Sequence, residues 1–244
     1  MTELVRPPEQ GRVYAQPMRP GLADCAPSGR IRLDGLARWL QEIAYFDVEE
    51  AGLAQSAAWV VRRTRLRIGR FPRFAEHFEV RTFCSGLGRM WGERRTTIAR
   101  AAVDGGEIDV EAVSLWVHLD PASWRPIPFS EAELAIFGDA MPGRRITARL
   151  RHPSPDSATE LARFRFRASE CDLAGHINNA AYWQAIEEEL LGEPGGAEAL
   201  DGLDAEMEYR APAHPGEKLI LGHGDRRWIA DGDGEVHASI LLRR

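Results

Sequence analysis

The sequence predicts an α+β fold in which a long helix lies across an antiparallel sheet, with the whole arrangement occurring twice in tandem. Three observations predict it. Two stretches of helical periodicity are each followed by short segments that alternate with period two. A proline-rich segment separates them, with Pro121, Pro126, Pro128, Pro142, Pro153 and Pro155 between positions 121 and 155. The second series repeats the layout of the first, as an internal duplication would.

In the first half, Arg12 to Met18 reads as a short strand, followed by a turn-rich stretch through Gly29. Leu33, Leu36, Ala37, Leu40, Ile43 and Ala44 then fall on one helical face, with Gly52 as the stop. Trp59 to Ile68 alternates: Thr64, Leu66 and Ile68 on one side, Arg63, Arg65 and Arg67 on the other. Phe78 to Cys84 alternates likewise, and Trp91 to Ala102 with Glu107 to Leu119 flank a hairpin signal at Asp104-Gly105-Gly106. In the proline-rich segment only Ser130 to Phe137 looks helical, and Trp124, Ile127, Phe129 and Phe137 are expected to be buried.

The second half opens with Phe164, Phe166 and Ala168 alternating with arginines. A turn leads into an amphipathic helix from about Asn178 to Leu191, ended by Gly192-Glu-Pro-Gly-Gly196. Ala205 to Ala211, Lys218 to Gly222, Arg226 to Ala230 and Glu235 to Leu242 read as strands, the last two joined by Asp231-Gly-Asp-Gly234. The expected division is residues 1–140, a linker at 141–160, and residues 161–244.

Composition narrows the function. The 244 residues are 44% hydrophobic and 28% charged, enough for a core without disulfides or metals. A formal net charge of −6 argues against a general nucleic-acid binder. Three widely spaced cysteines, Cys25, Cys84 and Cys171, fit a reducing cytoplasm. Met1 to Gln10 carries no apolar stretch, so no signal peptide is expected, and no segment approaches the about 18 apolar residues of a membrane span.

The chemistry concentrates in Glu170-Cys-Asp-Leu-Ala-Gly-His-Ile-Asn-Asn179. Asp172 and His176 lie four residues apart, Gly175 permits a tight backbone that could bring its N–H to a substrate carbonyl, and Asn178 or Asn179 can cap the helix. A carboxylate, an imidazole and a helix N-terminus can together supply a base, a hydrogen-bond partner and an oxyanion hole. The same residues are also ordinary turn and cap chemistry. Cys171 as a nucleophile is disfavoured, because neighbours in extended backbone point to opposite sides. His214, His223 and His237 have no metal spacing. No nucleotide-binding glycine pattern sits between a strand and a helix, so no cofactor is expected. The arginines at 62, 63, 65, 67, 70 and 73 read first as a solvated sheet face, and second as a docking surface for an acidic carrier protein.

Gly175-His-Ile-Asn-Asn179 followed by Ala-Ala-Tyr-Trp183 resembles the active-site turn of hotdog-fold thioesterases. The first half is similar to one branch, the acyl-acyl-carrier-protein (acyl-ACP) thioesterases, through Leu40-Gln-Glu-Ile-Ala44, Trp59-Val-Val-Arg62, Gly88-Arg-Met-Trp-Gly-Glu-Arg-Arg95 and Ala112-Val-Ser-Leu-Trp-Val117. Tyr209-Arg210 continues the likeness. The resemblance implies a tandem (double) hotdog, each a long helix wrapped by an antiparallel β-sheet. Acyl-chain contacts would lie in the N-terminal copy, with Asp172 and His176 as catalytic residues in the other. Gly175, Ile177, Asn178 and Asn179 would contact substrate. It further implies hydrolysis of fatty acyl thioesters, with acyl-carrier protein or coenzyme A as the carrier, in fatty acid biosynthesis. A homodimer is a further expectation. Two positions depart from the family pattern: Ala174 stands where an Asn is expected, and Pro212 where an acidic residue is expected, with Ala213 beside it. These departures favour, as an alternative, a silent acyl- or carrier-binding protein. A hotdog hydratase would instead show a D-x-N-P-x-H pattern, which this chain lacks.

Overall fold

A computed structural model describes residues 4–5, 11–101, 106–138, 144, 146–192, 200 and 202–243. The hairpin turn expected at 104–105, the segment 193–196 and part of the expected linker lie outside them.

The first half contains β1 (Val13–Met18), α1 (Leu33–Glu50), β2 (Ala58–Ile68), β3 (Phe78–Leu87), β4 (Trp91–Arg100) and β5 (Ile108–Leu119). A short α2 (Glu131–Phe137) follows, closed at its start by a capping box in which Ser130 and Glu133 satisfy each other's backbone N–H. The second half contains β6 (Thr159–Phe166), α3 (Asn179–Gly192), β7 (Asp204–Tyr209), β8 (Gly216–His223), β9 (Arg226–Ala230) and β10 (Val236–Arg243).

All ten strands form one sheet in the order β1-β3-β4-β5-β2-β7-β10-β9-β8-β6. Outward from the centre the order is β2, β5, β4, β3, β1 on one side and β7, β10, β9, β8, β6 on the other. The second half therefore repeats the topology of the first strand for strand. The halves join where β2 pairs antiparallel with β7, placing Leu66 opposite Ala205 and Thr64 opposite Met207.

The helices α1 and α3 cover one face of this sheet. Every apolar residue that defined the α1 stripe is buried, and Trp39 joins them. All but Ala44 merge with Tyr182, Trp183 and Ile186 of α3, and with strand residues of both halves, into one apolar cluster. Burying a continuous core across the β2–β7 seam ties the two copies together.

The opposite face corrects the reading of the arginine run. A bulge in β2 between Val61 and Arg63 resets the alternation. Arg63 and Arg65 then face the acidic strand β7: Arg65 pairs with Asp204 at 2.6 Å, and Arg63 Nη1 lies 4.0 Å from Glu208. Residues 146–153 cross over them. Arg63 donates to Arg149 O (3.3 Å), while Arg151 N and His152 N donate to Glu208. Trp91 and Trp228 donate their indole N–H groups to Ile146 O and Pro153 O. The run is therefore neither a solvated face nor a free basic surface. Its inner members Arg63 and Arg65 are ion-paired and covered, and Arg67 and Arg73 remain exposed. Trp124 also departs from expectation. It is about half exposed (51%), in a left-handed turn whose N–H reaches back to Asp120 O.

Candidate active site

The turn before α3 is built by main-chain geometry. Cys171 and Ile177 form an isolated bridge, flanked by Asp172 N→His176 O (2.9 Å) and Asn178 N→Glu170 O (2.8 Å). Gly175 closes the tip, donating to Asp172 O at 3.0 Å with φ +76°. A Cβ there would meet nothing within 4 Å, so the backbone angle is what requires glycine. This corrects one expectation: the Gly175 N–H is spent inside the turn and is not offered to a substrate.

Asp172 is half-buried. Its Oδ1 accepts from Ala174 N (2.9 Å), and its Oδ2 accepts from Asn178 Nδ2 (3.3 Å). Asn178 caps α3 through Oδ1, which accepts from Ala180 N. The same amide exchanges two hydrogen bonds with Gln41 on α1, at 3.1 and 3.2 Å. Sequence reasoning missed Gln41 as a site residue. It lay within a family-like stretch, and only the fold brings it to Asn178.

Ile177 is buried and donates its N–H to Ala213 O, while Ala213 N donates to the Tyr182 hydroxyl. Burial pushes the Tyr182 phenol up to about 12, so it stays neutral and serves as an acceptor. The loop carrying the departures Pro212 and Ala213 thus braces the turn through its main chain. It also brings His214 to His176, with ring centroids 5.2 Å apart. The imidazole of His176 packs on His214, and the side-chain hydrogen bond to Asp172 comes from Asn178.

Among the described residues, the main-chain N–H of Asn179, first in α3, has no protein acceptor. The duplication shows what such a group attracts. The turn before α1 repeats this one bond for bond: a Cys25–Ile31 bridge, Ala26 N→Arg30 O, Gly29 N→Ala26 O and Arg32 N→Asp24 O, with Gly29 at φ +82°. There Ala26 and Arg30 stand at the positions of Asp172 and His176. Leu33 N, the counterpart of Asn179 N, donates to the Glu187 carboxylate at 2.6 Å. Glu187 occupies on α3 the position that Gln41 occupies on α1, and it also pairs with Arg30 at 2.6 Å. One copy of the site is plugged by an anion; in the other, a neutral amide leaves the helix start open.

Beside Gln41, under α1, lies a cavity of about 310 Å³. Ala44, Val48, Ala57, Trp59, Leu87, Trp116, Phe129 and Phe137 line it, with Glu93 and Arg94 among the polar contributors. Glu93 is held by Ser85 and Arg144, and Arg94 by Asp47. As for metals, Asp231, Glu235 and His237 bring donor atoms within 4.8 Å of one another. Asp231 is already engaged by Lys218 (2.6 Å), which supplies the positive charge a cation would bring, and lies 2.9 Å from His237 Nε2.

Residues 11–136, over half of the chain, match the family model of the acyl-ACP thioesterase N-terminal domain. The chain belongs to the acyl-ACP thioesterase family. It is 28% identical over 247 residues to an uncharacterised protein of Mycobacterium tuberculosis, covering 99% of this chain and 96% of that one. It is 23% identical over 185 residues to the chloroplastic oleoyl-acyl carrier protein thioesterase 2 of Arabidopsis thaliana, covering 65% of this chain and 50% of the relative. The fold matches the crystal structure of an acyl-ACP thioesterase from Bacteroides thetaiotaomicron, with TM-score 0.74, 19% identity, and 95% and 98% of the two chains covered. The acyl-ACP thioesterase family and the hotdog fold make this chain a thioester hydrolase of fatty acyl substrates.

Proposed function

We propose that the chain hydrolyses fatty acyl-ACP thioesters, releasing free fatty acid in a cytoplasmic biosynthetic setting, with Asp172 as the central catalytic group. One observation carries the reading. A hydrogen-bonded line from Gln41 through Asn178 to Asp172 joins the acyl-sized cavity of the first half to the turn of the second. Residues 1–140 then hold the chain and 161–244 supply the chemistry, with 141–160 as the linker.

In this mechanism the acyl chain enters beneath α1 and its thioester carbonyl lies at the start of α3. The Asn179 N–H and the helix dipole polarise the carbonyl oxygen. Asp172, oriented by Asn178, takes a proton from water as the water oxygen bonds to the carbonyl carbon. The tetrahedral intermediate collapses with cleavage of the C–S bond, and the departing sulfur takes the proton. The products are a carboxylic acid and the carrier's free thiol. His176, with His214 against it, lines the approach of the carrier arm and orients the substrate, as Ile177 and Gly175 do through the turn they hold. The helix start plugged by Glu187 supports the anion-binding role assigned to its open counterpart. The three free cysteines fit a reducing compartment.

The test is thiol release from acyl-ACP and acyl-CoA across chain lengths, with Asp172→Asn and Asp172→Ala as controls. Turnover is expected on the carrier protein, and loss of about 100-fold or more in both variants. Wild-type rates in Asp172→Ala would remove Asp172 from the mechanism. A preference for coenzyme A would overturn the carrier assignment.

A further inference from the structure

The cavity is not uniformly apolar. Trp59 and Trp116 both line it, and the indole N–H of each is buried without an acceptor among the described residues. The two are close on one face of the sheet, because Trp59 pairs with His118 and Val61 with Trp116 across β2 and β5. Trp59 sits at the Phe129 end, its ring 5.7 Å from Phe129 and 4.9 Å from His118. Trp116 sits at the Gln41 end, where it also lines a small crevice with Thr64, Trp183 and Tyr209. Three other indoles have acceptors: Trp91, Trp183 and Trp228 donate to Ile146 O, the Tyr209 hydroxyl and Pro153 O.

A saturated chain filling this space would offer neither donor an acceptor and leave both unpaired in an apolar enclosure. That cost is avoided only by a ligand bringing its own acceptor. We propose that the acyl chains this site prefers carry a hydroxyl or keto oxygen on the part of the chain that lies past Gln41, where it accepts a hydrogen bond from the indole N–H of Trp116, Trp59 or both. The proposal rests on the acyl-thioesterase reading and specifies its substrate class. An oxygen on the chain adds an acceptor without adding charge, which suits a wall whose two ionic members, Glu93 and Arg94, already have partners.

The experiment compares thiol release from saturated, 3-hydroxy, 3-oxo and mid-chain hydroxy acyl thioesters of equal length on one carrier. It is run on the wild type, Trp59→Phe, Trp116→Phe and the double variant. The readout is the ratio of kcat/KM for oxygenated over saturated chains, which does not depend on the fraction of protein folded. A ratio of about tenfold or more is expected in the wild type, falling toward unity when the relevant indole is replaced. A saturated chain hydrolysed as well as every oxygenated one, or a preference that survives the double variant, would overturn the inference while leaving the thioesterase reading intact. Calorimetric binding of free hydroxy and plain fatty acids to the same proteins separates the two. With no thiol release from any ester, the hydrolysis reading fails, and the binding preference alone decides for or against the oxygenated chain.

Discussion

The side-chain amides of Gln41 and Asn178 are joined by a reciprocal pair of hydrogen bonds across the interface of α1 and α3. Asn178 uses its remaining capacity on Asp172 and on the start of α3. Gln41 thereby fixes the rotamer of the residue that orients the carboxylate, without touching the carboxylate itself. Gln41→Ala should lower kcat by roughly 100-fold, with a smaller change in KM, because a displaced Asp172 still lets the chain bind. Steady-state kinetics on one acyl-ACP would show it. An unchanged kcat would remove the amide pair from the machinery.

Much of this molecule was legible in local pattern. The α1 stripe, the alternation of β2 and β3 and the turn at 172–179 are short-range properties, and they fall where the sequence places them. Long-range partners were not legible. Gln41 meets Asn178 across 137 positions, and Arg65 meets Asp204 across 139. A strand of alternating arginines reads as solvated until the acidic strand it pairs with is known. Glu206 and Glu208 of β7 stand opposite Arg65 and Arg63 across the β2–β7 seam. The free helix start was invisible for the same reason: which N–H groups of a turn are spent depends on the turn's closure.

The Arg30–Glu187 pair makes a prediction about stability. It seals the duplicate site, and Glu187 also satisfies the first N–H of α1. Burial pushes the Glu187 carboxyl above its ordinary range, although Arg30 and the Leu33 N–H pull the other way. A group raised in this way contributes most below the ordinary carboxyl range and loses that contribution as pH rises through its folded value. Glu187→Gln, which is neutral and keeps an acceptor for Leu33 N, should cost about 1 kcal/mol or less at neutral pH. Glu187→Ala should cost about 3 kcal/mol, since it strands Arg30 and the helix start. Denaturant midpoints of the two variants should differ in that order; equal losses would contradict it.

Cavity depth should set chain length. Ala44 lies on the α1 wall and Ala57 just before β2, both buried and both small. Ala44→Leu adds bulk that competes with the acyl chain for the same space. Each methylene excluded forfeits about 0.8 kcal/mol, roughly fourfold in kcat/KM. The optimum should move to shorter chains, with the rate on the shortest substrates retained. A chain-length profile identical to the wild type would place the acyl group elsewhere.

The support behind Trp59 and Phe129 should fail in acid. His118 stacks on Phe129 with centroids 4.7 Å apart, and its Nδ1 and Nε2 lie 2.9 Å from Ile127 O and Glu133 Oε1. Burial acts to raise the Glu133 carboxyl. Hydrogen bonds from the Ser130 side chain and N–H, the nearby His118 and the Ser56 hydroxyl outweigh it and hold the group below its ordinary value. Glu133 stabilises the fold fully above the unfolded carboxyl range, near about 4.3, and this contribution is lost as pH falls through its lower folded value. Wild-type thermal midpoints should therefore drop below about pH 4, and Glu133→Gln should start lower at neutral pH and fall less over the same window. Because His118 and Phe129 support Trp59, the acyl-chain profile should broaden in that variant even at neutral pH. An acid limb equally steep in both proteins would assign the loss to other carboxylates that their partners hold low, Asp34, Glu76 and Asp231 among them.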